Sequence, residues 1–216
     1  MSEFNIEVAG GTTVKLPTAG KYCDRDIIIT ATGTAGGGGE LPTGYTRAGY
    51  AQFNEDLSFD TGIVCNENTK IKIVYTRDSD NAMYLYGVVN SGNTASITAY
   101  LSSGGTWRFG GKGASYNVTA NEDLVHTAIV EKTGITRVGN TGSFTGVTDF
   151  ETIGSLILGS CRQASGSISA PQFIGKIYEF KMWNGEELIL DLIPCIDGNG
   201  AYCFFDNVAK KIILPI

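Results

Sequence analysis

Charge is thin in this chain, and what there is does not cluster. Lys and Arg total 16, Asp and Glu 22, for a net charge of −6. The longest basic run is the pair Lys210-Lys211. A protein that binds nucleic acid or an anionic membrane surface displays a basic stripe or patch, so neither partner is expected. No apolar run approaches the ~18 residues that span a bilayer. The start, Met1-Ser2-Glu3-Phe4, lacks the basic residues and apolar stretch of a signal peptide. Synthesis in a cytoplasm, without secretion, is the expectation.

Histidine is nearly absent, with His126 alone, and the five cysteines are odd in number and irregularly spaced. There is no CxxC pair, so no familiar zinc spacing exists. Reduced, buried thiols are the default reading. Cys195 and Cys203 differ: they flank Asp197-Gly198-Asn199-Gly200, and a hairpin centred on Asn199 sets them opposite each other, where oxidising conditions would allow a disulfide. Proline is scarce at five residues, and no G-X-Y period accompanies the glycines, which excludes collagen.

What is abundant is glycine, at 29 of 216 residues, with 10 Tyr and 10 Phe. That mixture favours short strands joined by tight turns. Ile71, Ile73 and Tyr75 alternate with Lys72 and Val74, while Met83 to Val89 is a continuous apolar run suited to a strand buried on both faces. Ile97–Leu101 and Thr106–Phe109 flank a hairpin-like Ser102-Ser103-Gly104-Gly105, and Ile135–Val138 follows His126–Lys132. Ile153–Leu158, Phe173–Trp183 and Leu188–Ile193 complete about a dozen strands at turn spacing of roughly 8–12 residues. Residues 121–132 also fit a helical pattern, but their β-branched content favours a strand. Asn184-Gly185 reads as the centre of a type I′ hairpin turn.

Three segments follow. Residues 1–32 are a small β unit: Phe4, Ile6 and Val8 alternate with polar residues, Gly10-Gly11 turns the chain, Thr13–Leu16 returns, Pro17–Gly20 turns it again, and Asp26–Ala31 forms a further strand. Too short for a core of its own, the unit is expected to dock on something else. Residues 33–40 are a Gly-rich linker. Residues 41–216 form the main domain. The expected fold class is all-β, a two-sheet antiparallel jelly-roll sandwich preceded by a small N-terminal β unit.

Several stretches resemble concanavalin A/laminin G-like domains of phage and prophage tail proteins. Leu41-Pro42-Thr43-Gly44-Tyr45-Thr46 and Phe59-Asp60-Thr61-Gly62-Ile63 are similar to the family's "LPxGYT…YIxT/DTG" opening. Gly175–Trp183, the Asn184-Gly185 turn and Leu188–Cys195 are similar to its "GKIYSFKIYxNGxLVRDFIPC" hairpin, and Phe205-Asp206-Asn207-Val208 to the "YDLV" after it. Val14–Asp24 resembles an "LPTAGKYC" unit found ahead of such domains in phage structural proteins. Leu190 stands where the family has Arg, and Cys203-Phe204 where it has Gly-Leu. The resemblance implies a concanavalin A-like virion protein, a tail fibre, receptor-binding or decoration component that leaves its host by lysis. Its implied partners are host-surface or mucus glycans, other virion proteins through residues 1–32, and two copies of itself in a trimer. A purely architectural head or tail decoration protein is the first alternative, and a glycan-degrading enzyme the second.

Catalysis is not expected. Sandwich glycoside hydrolases set carboxylates at alternating positions on one strand, and no E-x-D-x-E pattern exists here. Glu122 and Asp123, like Glu186 and Glu187, would point to opposite faces; Glu179 and Asp191 stand apart; His126 has no nucleophile partner by motif. No cofactor is implied. Asp78-Ser79-Asp80-Asn81 offers hard oxygen donors, making Asp78 and Asp80 a calcium candidate against a solvated Asx turn. Glycan receptors pair aromatic platforms with polar side chains. Trp107 with Arg108, Tyr84 and Tyr86 are the ligand-binding candidates, with the stretch from Ser91 to Tyr100 and Trp183 beside them.

Overall fold

The computed structural model describes residues 4–8, 12–16, 40–79, 81–90, 96–102, 106–111, 114–119, 125–132, 134–137, 140–143, 151–169 and 172–216. In chain order the strands are β1 (Phe4–Val8), β2 (Thr12–Leu16), β3 (Thr46–Arg47), β4 (Ala51–Phe53), β5 (Phe59–Val64), β6 (Thr69–Arg77) and β7 (Met83–Val89). Then come β8 (Ser96–Leu101), β9 (Thr106–Gly111), β10 (Ala114–Thr119), β11 (His126–Glu131), β12 (Gly134–Arg137) and β13 (Asn140–Ser143). The last are β14 (Ser155–Leu158), β15 (Cys161–Arg162), β16 (Ile168–Ser169), β17 (Gly175–Asn184), β18 (Glu187–Ile196), β19 (Tyr202–Asp206) and β20 (Lys211–Ile213). Among the described residues no helix is long and apolar enough to cross a membrane.

Two compact units divide the chain, Met1–Glu40 and Leu41–Ile216. In the first, β1 and β2 pair antiparallel, Phe4 opposite Leu16 and Val8 opposite Thr12, while the expected Gly10-Gly11 turn lies outside the described residues. The expected Pro17–Gly20 turn and Asp26–Ala31 strand lie outside the described residues.

The second unit is an all-β sandwich of two large sheets. The larger runs β13-β12-β11-β6-β17-β18-β19-β20, with β4 beside β17 and β3 beside β18. The smaller runs β10-β9-β8-β7-β14-β5, with β15 joined to β7 and β16 to β15. β6 shows why the sheets stack. Ile71, Ile73 and Tyr75 are buried while Lys70, Lys72 and Val74 are half-exposed, because successive side chains leave opposite faces of a strand. The buried sets of both sheets meet in one core. Tyr75 packs edge-on against Trp107 at 5.5 Å and Phe59 against Phe204 at 4.9 Å, while Tyr86 meets Phe180 at 6.2 Å. Each such side chain contributes roughly 1.5–3 kcal/mol by leaving water.

Bulges decide which residues reach that core. In β17 the pairing with β6 passes from Ile177 opposite Tyr75 to Glu179 opposite Val74, leaving Tyr178 as an extra residue. The inward set therefore changes phase, from Gly175 and Ile177 to Phe180 and Met182. β7 carries the same device at Leu85, between Tyr84 opposite Tyr100 and Tyr86 opposite Ala99. Its apolar run is thus not a strand sandwiched along its whole length. Leu85 and Tyr86 both turn inward, while Tyr84 and Val89 remain half-exposed.

One local expectation holds and another changes in detail. Residues 126–131 are a strand, β11, paired with β6 and β12. The β17–β18 hairpin pairs Asn184 with Glu187, so the turn's central residues are Gly185 and Glu186 rather than Asn184 and Gly185. Gly185 has φ +61° and Glu186 keeps a negative φ, which is the type II′ pattern with Gly first.

Candidate functional site

The smaller sheet brings two of the four nominated ligand residues into one row. Tyr84 on β7 lies opposite Tyr100 on β8, and Tyr100 lies opposite Arg108 on β9. Residues directly opposite in adjacent strands project from the same face about 4.5–5.5 Å apart, so register alone lines up these three side chains. The tyrosine rings are 4.8 Å apart, centroid to centroid, with planes tilted by 48°. Both rings are half-buried and Arg108 is exposed. Burial is the chief reason the Tyr84 phenol is held above its ordinary pKa; negative charge at Cys161 and then at Tyr100 would add to the shift. Its hydroxyl therefore stays protonated and can donate as well as accept a hydrogen bond.

The other two nominated residues go inward. Trp107 is 0% exposed and packs against Tyr75 and Phe109. It precedes Arg108, so strand alternation sends the pair to opposite faces. Tyr86 is also 0% exposed, through the bulge at Leu85, and faces Phe180. Neither ring is available as a binding platform. Tyr100 was reachable from sequence only as the end of the Ser91–Tyr100 stretch; residues 91–95 lie outside the described residues.

The row occupies only part of the sheet's outer face. Beside it the segment after β14 doubles back, with β15 lying next to β7 and β16 next to β15. Gly87 makes that close approach feasible: a Cβ there would stand 2.7 Å from Cys161 Sγ. Arg162 fastens the segment by an ion pair to Asp60 and by donating from Nε to the Ser155 carbonyl at 3.1 Å. At the start of β7, a surface cleft of about 360 Å³ is bordered by Glu55, Asp56, Asn81, Met83 and Gln172. Gln172 bridges to the backbone of Tyr84, so the cleft adjoins the row.

The carboxylates carry structure. On the larger sheet's outer face, Lys72 donates to both Glu179 oxygens at 2.9 and 3.0 Å. Lys181 stands 3.1 Å from Glu179 and 3.6 Å from Asp191, and Asn207 Nδ2 donates to Asp191 at 3.1 Å. Burial pushes the Glu179 carboxyl up, but the hydrogen bonds from Lys72 and Lys181 outweigh it and leave its pKa below the usual value. A carboxylate held ionised between two lysines is a poor general acid. His126 is buried against Tyr75, ring centres 5.6 Å apart. Glu122 and Asp123 lie outside the described residues.

The calcium candidate has half of its pair in view. Asp78 is exposed and its Oδ2 accepts a hydrogen bond from Gln52 at 3.0 Å, while Asp80 lies outside the described residues. Among the described residues no three His, Cys, Asp or Glu side chains gather as a metal site would require. Trp183 is half-buried, with the Lys70 ammonium 5.8 Å from its ring centre. Tyr50, which no sequence motif marks, packs against Tyr178 at 5.8 Å and Tyr202 at 6.4 Å, under the Lys176 ammonium at 5.0 Å. These rings are largely spent on one another.

No family model matches the chain, and no curated protein matches it. Among solved structures it is similar to the Ruminococcus gnavus IT-sialidase CBM40 bound to α2,3-sialyllactose, at 16% identity and a TM-score of 0.47, over 64% of this chain and 91% of that one. It is also similar to the heptameric SAP-like pentraxin from Limulus polyphemus, at 10% identity and a TM-score of 0.45, over 65% of this chain and 76% of that one. Likenesses of this size give no residue-by-residue correspondence.

Proposed function

We propose that residues 41–216 are a non-catalytic, lectin-like adhesion module of concanavalin A-like jelly-roll type. In this reading it belongs to a phage virion and uses the Tyr84–Tyr100–Arg108 row to hold glycans of a host surface or mucus. The observation that carries the glycan reading is the row itself. Two adjoining tyrosines offer apolar ring surface for the C–H face of a sugar, and an exposed guanidinium beside them suits hydroxyls or a sugar carboxylate. The cleft next to Tyr84, where Met83 and Ile174 lie beside Glu55, Asp56 and Gln172, gives room for a second residue of an oligosaccharide. The virion assignment draws on the tail-protein motifs at both ends of the domain. Residues 1–32 then serve as the attachment unit to other virion proteins, and the full chain assembles as a trimer.

The test is binding of the purified full chain to bacterial surface polysaccharides and mucin glycans. Retention that falls at least tenfold in Y84A and Y100A, with unfolding transitions preserved, supports the reading. No retention by any of these glycans would sink it and favour a purely architectural protein. Light scattering of the full chain and of residues 41–216 tests the trimer and the part played by the first 40 residues.

A further inference from the structure

Cys195 and Cys203 face each other across the last hairpin, and their sulfurs are 3.0 Å apart. Backbone hydrogen bonds on either side define the kind of position they hold. Toward the turn, the Asp197 N–H donates to the Ala201 carbonyl at 3.0 Å; beyond the pair, the Asn207 N–H donates to the Asp191 carbonyl at 2.8 Å. Hydrogen-bonded and non-hydrogen-bonded pairs alternate along an antiparallel ladder, so both observations make Cys195–Cys203 a hydrogen-bonded pair, with Cα atoms about 5.5 Å apart. That falls within the preferred Cα separation of a disulfide, about 5.5–6 Å.

The environment is also distinct from that of the other described cysteines. Cys65 belongs to the main core, and Cys161 lies against Gly87. Cys195 and Cys203 instead form a second, small cluster with Phe205, covered by Leu41, Tyr45, Ile193 and Ile212. Leu41 and Tyr45 open the sandwich domain directly after the glycine-rich segment. The thiols thus lie beneath the strap through which the domain joins the rest of the chain.

We propose that Cys195 and Cys203 are a dithiol–disulfide pair, closed by exchange with a low-molecular-weight disulfide, that staples β18 to β19 under the Leu41–Tyr45 strap. One protein sulfur attacks the small disulfide, forming a mixed disulfide and releasing one small thiol. The second protein sulfur then attacks the first, forming the Cys195–Cys203 bond and releasing the second small thiol. Two protein thiols lose two electrons, the small disulfide gains them, and the two thiol protons leave on the released thiols. Burial is the main cause that holds both thiols above their ordinary pKa. Attack needs a thiolate, so closure is slower than in an open peptide of the same sequence.

The experiment incubates the full chain with oxidised glutathione, alkylates without reduction, cleaves at Asp197 between the two cysteines, and maps the peptides by mass. The expected product has lost two hydrogens, keeps the two halves joined until reductant is added, and leaves Cys65 and Cys161 alkylated. Its thermal midpoint lies several degrees above that of the reduced protein, a difference that disappears in the C195S/C203S double variant. Recovery of Cys195 and Cys203 as alkylated thiols after prolonged exposure would overturn the proposal. So would their stable recovery as two glutathione adducts, or in bonds to Cys23, Cys65 or Cys161. The C203S variant is a second check: it must leave Cys195 either free or as a glutathione adduct, with no internal bond.

Discussion

The two sheets share one core yet present different outer faces. On the larger sheet, Lys72, Glu179, Lys181 and Asp191 neutralise one another across β6, β17 and β18. On the smaller sheet, the corresponding cross-strand row holds two tyrosines and an exposed arginine. Charges paired within a face gain little from a ligand, because a newcomer must displace a partner already in place. Aromatic rings beside an exposed cation gain more, since a ligand removes apolar surface from water and adds a charge-assisted contact. Identical inward chemistry therefore says nothing about which face of a sandwich binds.

The largest expected effect breaks the comparison at adjacent residues. W107A should cost about 3–5 kcal/mol, as a truncated buried aromatic does, and urea unfolding will measure it. Any loss of glycan binding in that variant would report unfolding. Next is G87A, whose new methyl would meet Cys161 Sγ at 2.7 Å. Overpacking of this kind costs about 1–3 kcal/mol, and unchanged stability would show that the β15 segment is not seated on β7. Y100A should weaken glycan retention at least tenfold, about 1.4 kcal/mol, in quantitative affinity chromatography, with the fold intact.

E179Q tests the other face, with an expected cost of about 1 kcal/mol or less at neutral pH and no change in glycan binding. The sign of its pH dependence follows from the lowered Glu179 pKa. The stabilisation is complete above the ordinary glutamate value of about 4.3 and is lost as pH falls through the lower folded value. Wild type and E179Q should therefore converge in acid, as thermal melts across a pH series would show. Smallest in stability is R108A, within about 0.5 kcal/mol of wild type for an exposed position. Its effect should appear as selective loss of acidic glycans relative to neutral ones.

Strand identity was legible wherever one face is buried and the other wet, because a period of two is imposed by the pleat itself. β6 shows this at Ile71, Ile73 and Tyr75, and β11 shows it in a segment that also fitted a helix. The facing of Cys195 and Cys203 was legible too, since a hairpin centred on Asn199 fixes both positions by counting. Which side each strand turns inward was not. Alternation requires Trp107 and Arg108 to part, but only the partner sheet, with Tyr75 waiting at 5.5 Å, makes Trp107 the buried one. The bulge at Leu85 was equally silent, because an extra residue is visible only against the register of β8. It sent Tyr86 into the core and left Tyr84 outside.

By itself, then, the sequence determined an all-β domain of many short strands and the facing of the cysteine pair, both properties of local period and spacing. Tertiary structure decided the candidate site. Tyr84, Tyr100 and Arg108 belong to three strands, and cross-strand register, a relation between distant segments that no local pattern encodes, sets them side by side.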